Sequence, residues 1–140
     1  MDTTKETGAL PGILILSHGP LCTSLIESAK MIAGDIQNVA ALPFEEGADI
    51  VAYAKEAKAV YDKMPEGSVV LFDLFAGTPF NQFIIQCEGK KIEGLSGINL
   101  PIFLDVLAQR EYKRGAELIA AVEDLVRDGI VNVGKFASAL

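Results

Sequence analysis

Short apolar runs alternate along this chain with longer segments whose apolar residues recur at helical spacing, and this alternation limits the fold more than any other feature. In the first run, ILILSH, polar and apolar residues hardly alternate, as expected for a strand that is covered on both faces. We predict strands at 12–18, 38–44, 68–74 and 92–95, and helices at about 21–34, 48–64, 78–87, 99–109 and 115–128. Strands that alternate with helices indicate an α/β fold, with a mainly parallel sheet and helices on both faces.

The order of these elements favours a flavodoxin-like three-layer sandwich with sheet order 2-1-3-4. In such a sheet, ligands bind at the carboxyl ends of the strands where the winding reverses, here between the first and third strands. Those strands end in Ser17-His18-Gly19 and Asp73-Leu74-Phe75. The fold argument therefore places the only histidine of the chain beside an aspartate, at the edge where such folds bind ligands.

Charge and composition exclude several classes of protein. Lys and Arg number 12 against 19 Asp and Glu, a net charge of -7 that argues against a nucleic-acid partner. No apolar stretch approaches the ~18 residues of a membrane-spanning helix, and the polar N-terminus shows no signal peptide, so we expect a cytoplasmic protein.

We expect a single domain over 1–140, in which residues 1–11 form a flexible N-terminal segment. The two distant cysteines, Cys22 and Cys87, are predicted to be buried thiols and not metal ligands, and we expect no metal or cofactor.

His18 and Asp73 together suit a nucleophile with an orienting partner. A carboxylate that accepts from one ring nitrogen fixes the tautomer and leaves the other nitrogen free to attack. The third helix begins nearby, with Thr78 as its predicted N-cap and Pro79 as its first residue. Backbone N–H groups near Gly77 and Thr78, together with the Thr78 hydroxyl, form a candidate anion site. These parts suit transient phosphoryl transfer to histidine.

Two other interpretations of the same residues compete with phosphoryl transfer. A serine hydrolase is disfavoured, because Ser17 and His18 are neighbours on a strand and point to opposite faces, and the chain has no G-x-S-x-G elbow. A non-catalytic, flavodoxin-like binding or regulatory module would need His18 and Asp73 only to end strands and Thr78 only to cap a helix.

Four motifs resemble, in order and spacing, the IIA component of the mannose-type bacterial sugar phosphotransferase system: ILILSHG (13–19), PFEEG (43–47), LFDLFAGTPFN (71–81) and SGINLPIF (96–103). The resemblance implies that His18 is phosphorylated, that Asp73 orients it, and that Thr78 lies beside the phosphoryl group. The family often has two glycines where this chain has Ala76-Gly77. The phosphotransfer subunit of dihydroxyacetone kinases and the small chelatases also carry a histidine after the first strand, but the chelatases typically require a further histidine.

The resemblance also implies partners. The phosphoryl group would arrive from the histidine-containing phosphocarrier protein and leave to a histidine of the IIB component, and the chain would meet the membrane only through the transporter complex. Apolar residues at the strand ends, with Leu21 and Phe75 as candidates, would form the docking surface. Family members are dimers that exchange a C-terminal strand, for which residues 129–133 (GIVNV) are the candidate here.

Overall fold

Four parallel strands form one sheet in the order β2-β1-β3-β4, in a computed structural model that describes residues 9–140. The strands are β1 Ile13–His18, β2 Val39–Phe44, β3 Val69–Phe72 and β4 Gly94–Ser96. In register, Ile13 of β1 lies between Val39 of β2 and Val69 of β3. The predicted fold class and strand order are confirmed.

Five helices cover the two faces of this sheet: α1 Leu21–Ala33, α2 Ile50–Asp62, α3 Thr78–Gln86, α4 Leu100–Gln109 and α5 Gly115–Val126. A sixth helix, α6 Val133–Ser138, follows near the end of the chain and has no buried residue. Alternate residues of β1 and β3 enter two separate core clusters, one packed against α1, α4 and α5 and the other against α2 and α3. Both central strands are therefore apolar on both faces, which is why their sequences show no alternation.

Some boundaries differ from the predictions for local reasons. Strand β4 begins at Gly94, two residues later than predicted, and a Cβ at Gly94 would lie 2.2 Å from the Val70 carbonyl oxygen. Only glycine permits that close pairing with β3. Val51 of α2 and Ile32 of α1 are apolar, yet they are 42% and 64% exposed because each lies in a terminal turn of its helix.

Two arginines hold the start of β1. The buried Arg110 guanidinium donates to three backbone carbonyls, those of Pro11, Gln37 and Asn38. This burial lowers the pKa of Arg110. Arg114 donates to the carbonyl of Ala9. Residues 9–11 are therefore bound to the domain, whereas the rest of the predicted flexible segment, residues 1–8, lies outside the described residues.

The strand expected at 129–133 does not form within the single chain. Residues 129–132 form no regular structure, and α6 follows, with the Asn132 side chain accepting from the Lys135 amide as an N-cap. A strand needs a hydrogen-bonding neighbour, and this segment pairs with no strand of its own sheet. No helix within residues 9–140 is long and apolar enough to cross a membrane.

Candidate functional site

The carboxyl edge of the sheet brings His18 and Asp73 together, as predicted. His18 is the last residue of β1, and Asp73 follows β3 with its amide bonded to the Leu16 carbonyl. One carboxylate oxygen, Oδ2 of Asp73, lies 2.8 Å from Nδ1 of His18 and 2.9 Å from the His18 backbone nitrogen. Because parallel strands end at the same edge, neighbouring strands bring these two side chains into contact.

The contact with Asp73 defines the two ring nitrogens of His18. A carboxylate oxygen only accepts hydrogen bonds, so Nδ1 carries the proton. The other nitrogen, Nε2, has no hydrogen-bond partner among residues 9–140. The histidine side chain is 46% exposed, whereas that of Asp73 is 12% exposed. In the neutral form of the ring, the site therefore presents Nε2, with its lone pair, to solvent and to a partner.

Helix α3 begins beside this ring, but not with the predicted cap. Gly77 is the N-cap, in an extended conformation, and its carbonyl accepts from the Asn81 amide at 2.9 Å. Thr78 is thus the first helical residue and Pro79 the second, so the predicted capping role of Thr78 is wrong. The helix already starts at the Gly77 carbonyl, which leaves the Thr78 hydroxyl exposed and unused as a cap.

Gly77 is the point of closest approach between α3 and the histidine. A Cβ at Gly77 would lie 3.0 Å from Cε1 of His18. The Gly77 amide is directed at the Leu74 carbonyl over 3.4 Å, whereas the amides of Thr78 and Phe80 have no acceptor in the described part of the chain. Free amides in the first turn of a helix are the donors that bind an anion.

Two further residues shape the site and were not assigned a role from the sequence. The ring of Phe44 meets that of His18 edge-on at 6.5 Å and packs on Tyr53 at 5.2 Å. Ser17 is buried, and its hydroxyl donates to the Gly19 carbonyl and accepts from the Cys22 amide, so it fixes the turn after His18. In the sequence, the only indication that these residues belong to the site is that Phe44 lies in the motif PFEEG and Ser17 in the motif ILILSHG.

Exposed apolar side chains surround the strand ends. Leu21 and Phe75, the predicted docking residues, are 45% and 69% exposed, and Leu74, which was not predicted, is 57% exposed. The Phe75 ring rests on Phe80 at 5.2 Å, so it is held at the surface and is not part of the core.

Cys22 and Cys87 are both buried, as predicted. Within residues 9–140, no three His, Cys, Asp or Glu side chains are grouped as a metal site would require.

A reachable histidine nitrogen, an orienting carboxylate and free helix amides define a domain suited to holding a phosphoryl group transiently. Comparison with known families agrees. Residues 12–123 match the family model EIIA-man, described as "PTS system fructose IIA component". The chain belongs to this family of IIA components of the bacterial sugar phosphotransferase system (PTS).

Individual relatives support the same assignment. The chain is 37% identical over 105 residues to the PTS system fructose-specific EIIA component of Bacillus subtilis, a match that covers 71% of this chain and 70% of the relative. It is 28% identical over 122 residues to the mannose-specific EIIAB component of Escherichia coli, covering 84% of this chain but 38% of that longer protein. The crystal structure of a PTS component EIIA from Streptococcus agalactiae superposes with a TM-score of 0.78 at 26% identity, covering 89% of this chain and 98% of that one.

These matches decide between the open interpretations. The chain is a phosphoryl-transfer component of a sugar phosphotransferase system, as its motifs predicted. The dihydroxyacetone kinase subunit, the chelatase and the non-catalytic module are disfavoured by the same family membership.

Proposed function

We propose that His18 carries the phosphoryl group and that it does so on Nε2. The observation that supports this proposal is the 2.8 Å contact between Nδ1 of His18 and Oδ2 of Asp73. It occupies one nitrogen with a proton and leaves the other with a free lone pair. The edge position and partial exposure of His18 let a second protein bring a phosphoryl group to that lone pair.

Transfer needs no proton movement within this chain. As Nε2 attacks, a P–N bond forms to His18 and the bond from phosphorus to the donor group breaks. Nδ1 keeps its proton, so the phosphorylated ring gains a positive charge that the Asp73 carboxylate stabilises at close range. When the group leaves for the next protein, the P–N bond breaks and the ring returns to its neutral form.

The surroundings of His18 suit a group that must leave again. Within residues 9–140, the ring of His18 lies against Asp73, Phe44 and Gly77, and no hydrogen bond or ion pair joins it to a lysine or an arginine. The phosphoryl oxygens would be held by the Thr78 and Phe80 amides and the Thr78 hydroxyl. Neutral donors orient an anion without the strong ion pair that would retain it.

We further propose that the donor is the histidine-containing phosphocarrier protein and the acceptor a histidine of a IIB component, in the cytoplasm. The docking surface consists of Leu21, Leu74 and Phe75, which we call the apolar rim. Phosphoryl carriers meet briefly through small interfaces, and a few exposed apolar side chains beside the reacting atom suit such an encounter. The name of the Escherichia coli relative joins an A and a B component, which supports a B component as the acceptor.

A homodimer completes the proposal. The outer edge of β4 pairs with no strand within residues 9–140. An apolar groove runs beside that edge, between Phe80 and Ile84 of α3 and Leu95 of β4. The tail carries strongly exposed apolar side chains that such a groove could bury: Ile130, Val131, Val133, Phe136 and Leu140. Exchange of the tail between two copies would cover the edge and the apolar side chains together.

Phosphorylation by purified components tests the proposal. The protein is incubated with labelled phosphoenolpyruvate, the general phosphotransferase enzyme and the phosphocarrier protein, and its phosphate is tested for stability to acid and base. We expect an acid-labile, base-stable phosphate at one per chain, and ¹H–¹⁵N spectra that assign it to Nε2.

The control is His18→Ala, which removes the only histidine of the chain. The side chain is half exposed, so the variant should keep the wild-type thermal unfolding midpoint within a few degrees. Labelling of this variant at full stoichiometry, or of the wild type at Nδ1, would contradict the proposal.

A further inference from the structure

The loop between β3 and α3 contains an alanine in a conformation that usually requires glycine. Ala76 has φ +59°, in the left-handed region where an L side chain is strained. It is the third residue of a turn that runs from Leu74 to Gly77, where the Leu74 carbonyl faces the Gly77 amide at 3.4 Å. Type II turns favour glycine at this position for the same reason. Something other than the intrinsic preference of alanine must hold the loop in this shape.

The side chain of Asn81 provides that hold. Its Nδ2 donates to the Ala76 carbonyl oxygen at 3.0 Å, while its backbone amide donates to the Gly77 carbonyl at 2.9 Å. Asn81 thus binds two successive carbonyls of the loop from the first turn of α3. Asn81 itself is exposed, so it contributes little to the core.

The bonded carbonyl belongs to the peptide group that links Ala76 to Gly77. Gly77 comes next to the His18 ring, with a Cβ position only 3.0 Å from Cε1. Rotation of this peptide group would turn the Gly77 backbone and the free amide of Thr78 relative to the ring. The bond from Asn81 therefore fixes the part of the loop that adjoins the phosphoryl site.

We propose that Asn81 is a positioning residue of this site: by holding Ala76 in its left-handed conformation, it keeps the start of α3 in register with His18. This inference rests on phosphoryl transfer at His18. Asn81 need not touch the phosphoryl group or the partner, because it acts through the peptide group between Ala76 and Gly77.

Single-turnover transfer from the phosphorylated phosphocarrier to the full chain tests the proposal. Asn81→Ala and Asn81→Leu both remove the N–H donor, and we expect each to slow labelling of His18 by about tenfold, as loss of alignment at a reacting centre does. Asn81→Leu keeps nearly the size of the side chain and adds no charge, so it separates loss of the donor from loss of bulk. Gln82→Ala removes a side-chain amide from the next residue of α3 and is expected to leave the rate unchanged.

The decisive variant is Asn81→Ala combined with Ala76→Gly. Glycine adopts the left-handed conformation without strain, so the loop no longer needs the bond, and we expect the double variant to recover most of the wild-type rate. If Asn81 instead contacted the partner protein, Ala76→Gly would recover nothing, and that result overturns the proposal. A wild-type rate in Asn81→Ala overturns it as well.

Failure of the inference and failure of the proposed function look different in this assay. If the wild type is not labelled, or if His18→Ala is labelled, the proposed function fails. If the wild type is labelled at His18 and only the Asn81 variants behave otherwise than expected, phosphoryl transfer stands and the positioning role alone is wrong. Thermal unfolding of each variant confirms that the rates belong to folded protein.

Discussion

Oδ2 of Asp73 accepts two hydrogen bonds from His18, one from ring Nδ1 at 2.8 Å and one from the backbone amide at 2.9 Å. The first bond sets the tautomer and rotation of the ring, and the second ties the carboxylate to the end of β1. Since both bonds end on one oxygen, a change at Asp73 affects the protonation, the orientation and the charge environment of His18 together.

Asp73→Asn should slow phosphorylation of His18 by on the order of ten- to a thousand-fold. An amide turned with its N–H₂ group toward Nδ1 selects the wrong tautomer, and one turned the other way lacks the charge that stabilises the phosphorylated ring. Rapid-quench measurement of transfer from the phosphocarrier gives the rate. A wild-type rate in Asp73→Asn would show that the contact has no role in transfer.

Gly77→Ala should slow transfer without unfolding the protein. The backbone at Gly77 has φ −74°, which alanine adopts freely, but the new methyl group would lie 3.0 Å from Cε1 of His18 and push the ring or the start of α3 aside. We expect about a tenfold loss of rate in the same assay. Gly134→Ala is the control, because its Cβ would meet its nearest neighbour at an ordinary 3.5 Å. Equal rates for the two variants would contradict the close approach at Gly77.

Patterns that depend on burial and topology were predictable from the sequence. Unbroken apolar runs such as the one at Ile13–Leu16 identify strands buried on both faces, and the alternation with helices fixes a parallel sheet. Since parallel strands end at one edge, the proximity of His18 and Asp73 followed from strand order alone. This pair of side chains is the centre of the candidate site.

Features that depend on local backbone geometry or on a second chain were not predictable in this way. Thr78 has the side chain of a good N-cap, yet the helix begins one residue earlier because the Gly77 carbonyl accepts the first helical bond. Neither the left-handed Ala76 nor its bond from Asn81 is visible in a pattern of apolar residues. The segment 129–133 has the composition of a strand but no pairing partner within its own sheet.

Phe75→Ala should raise the apparent KM for the phosphocarrier more than it lowers turnover, by several-fold, since the ring is 69% exposed beside the site. Met31→Ala is the matched control: Met31 is 89% exposed and lies ten residues along α1 from Leu21, about 15 Å away. Steady-state phosphorylation against phosphocarrier concentration separates the two constants. A fall in turnover alone would mean that Phe75, through its contact with Phe80, shapes the site and does not dock the partner.

Alkaline pH should destabilise the fold through its two buried thiols and the Tyr61 phenol. Burial raises the pKa of the Cys22 and Cys87 thiols above the ordinary value of 9.0, and raises the pKa of Tyr61 to about 12. These groups hold their protons more tightly in the folded chain, so their contribution is complete below about pH 9 and is lost as pH rises through the raised values.

Urea unfolding midpoints measured from pH 7 upward check this expectation: the midpoint should stay level to about pH 9 and then fall. Cys87→Ala is the informative variant, because Cys87 is a free, buried thiol in the core and its removal takes away one of the titrating groups. Its midpoint should fall less steeply above pH 9 than that of the wild type. A midpoint that is level to pH 11 would contradict the assigned burial effects.

Removal of the tail should change the oligomeric state. The full chain is expected to be a homodimer, and a chain cut after Asp128 is expected to become monomeric or to aggregate, because the outer edge of β4 then loses its cover. Val131→Asp places a charge within the predicted exchanged strand and should weaken the dimer, whereas Ser28→Asp places the same charge on an exposed position of α1, outside the tail, and should not. Light scattering at micromolar concentration distinguishes these states. A full-length monomer under these conditions would contradict the exchange, yet phosphotransfer could survive it, since His18, Asp73 and Thr78 all belong to one subunit.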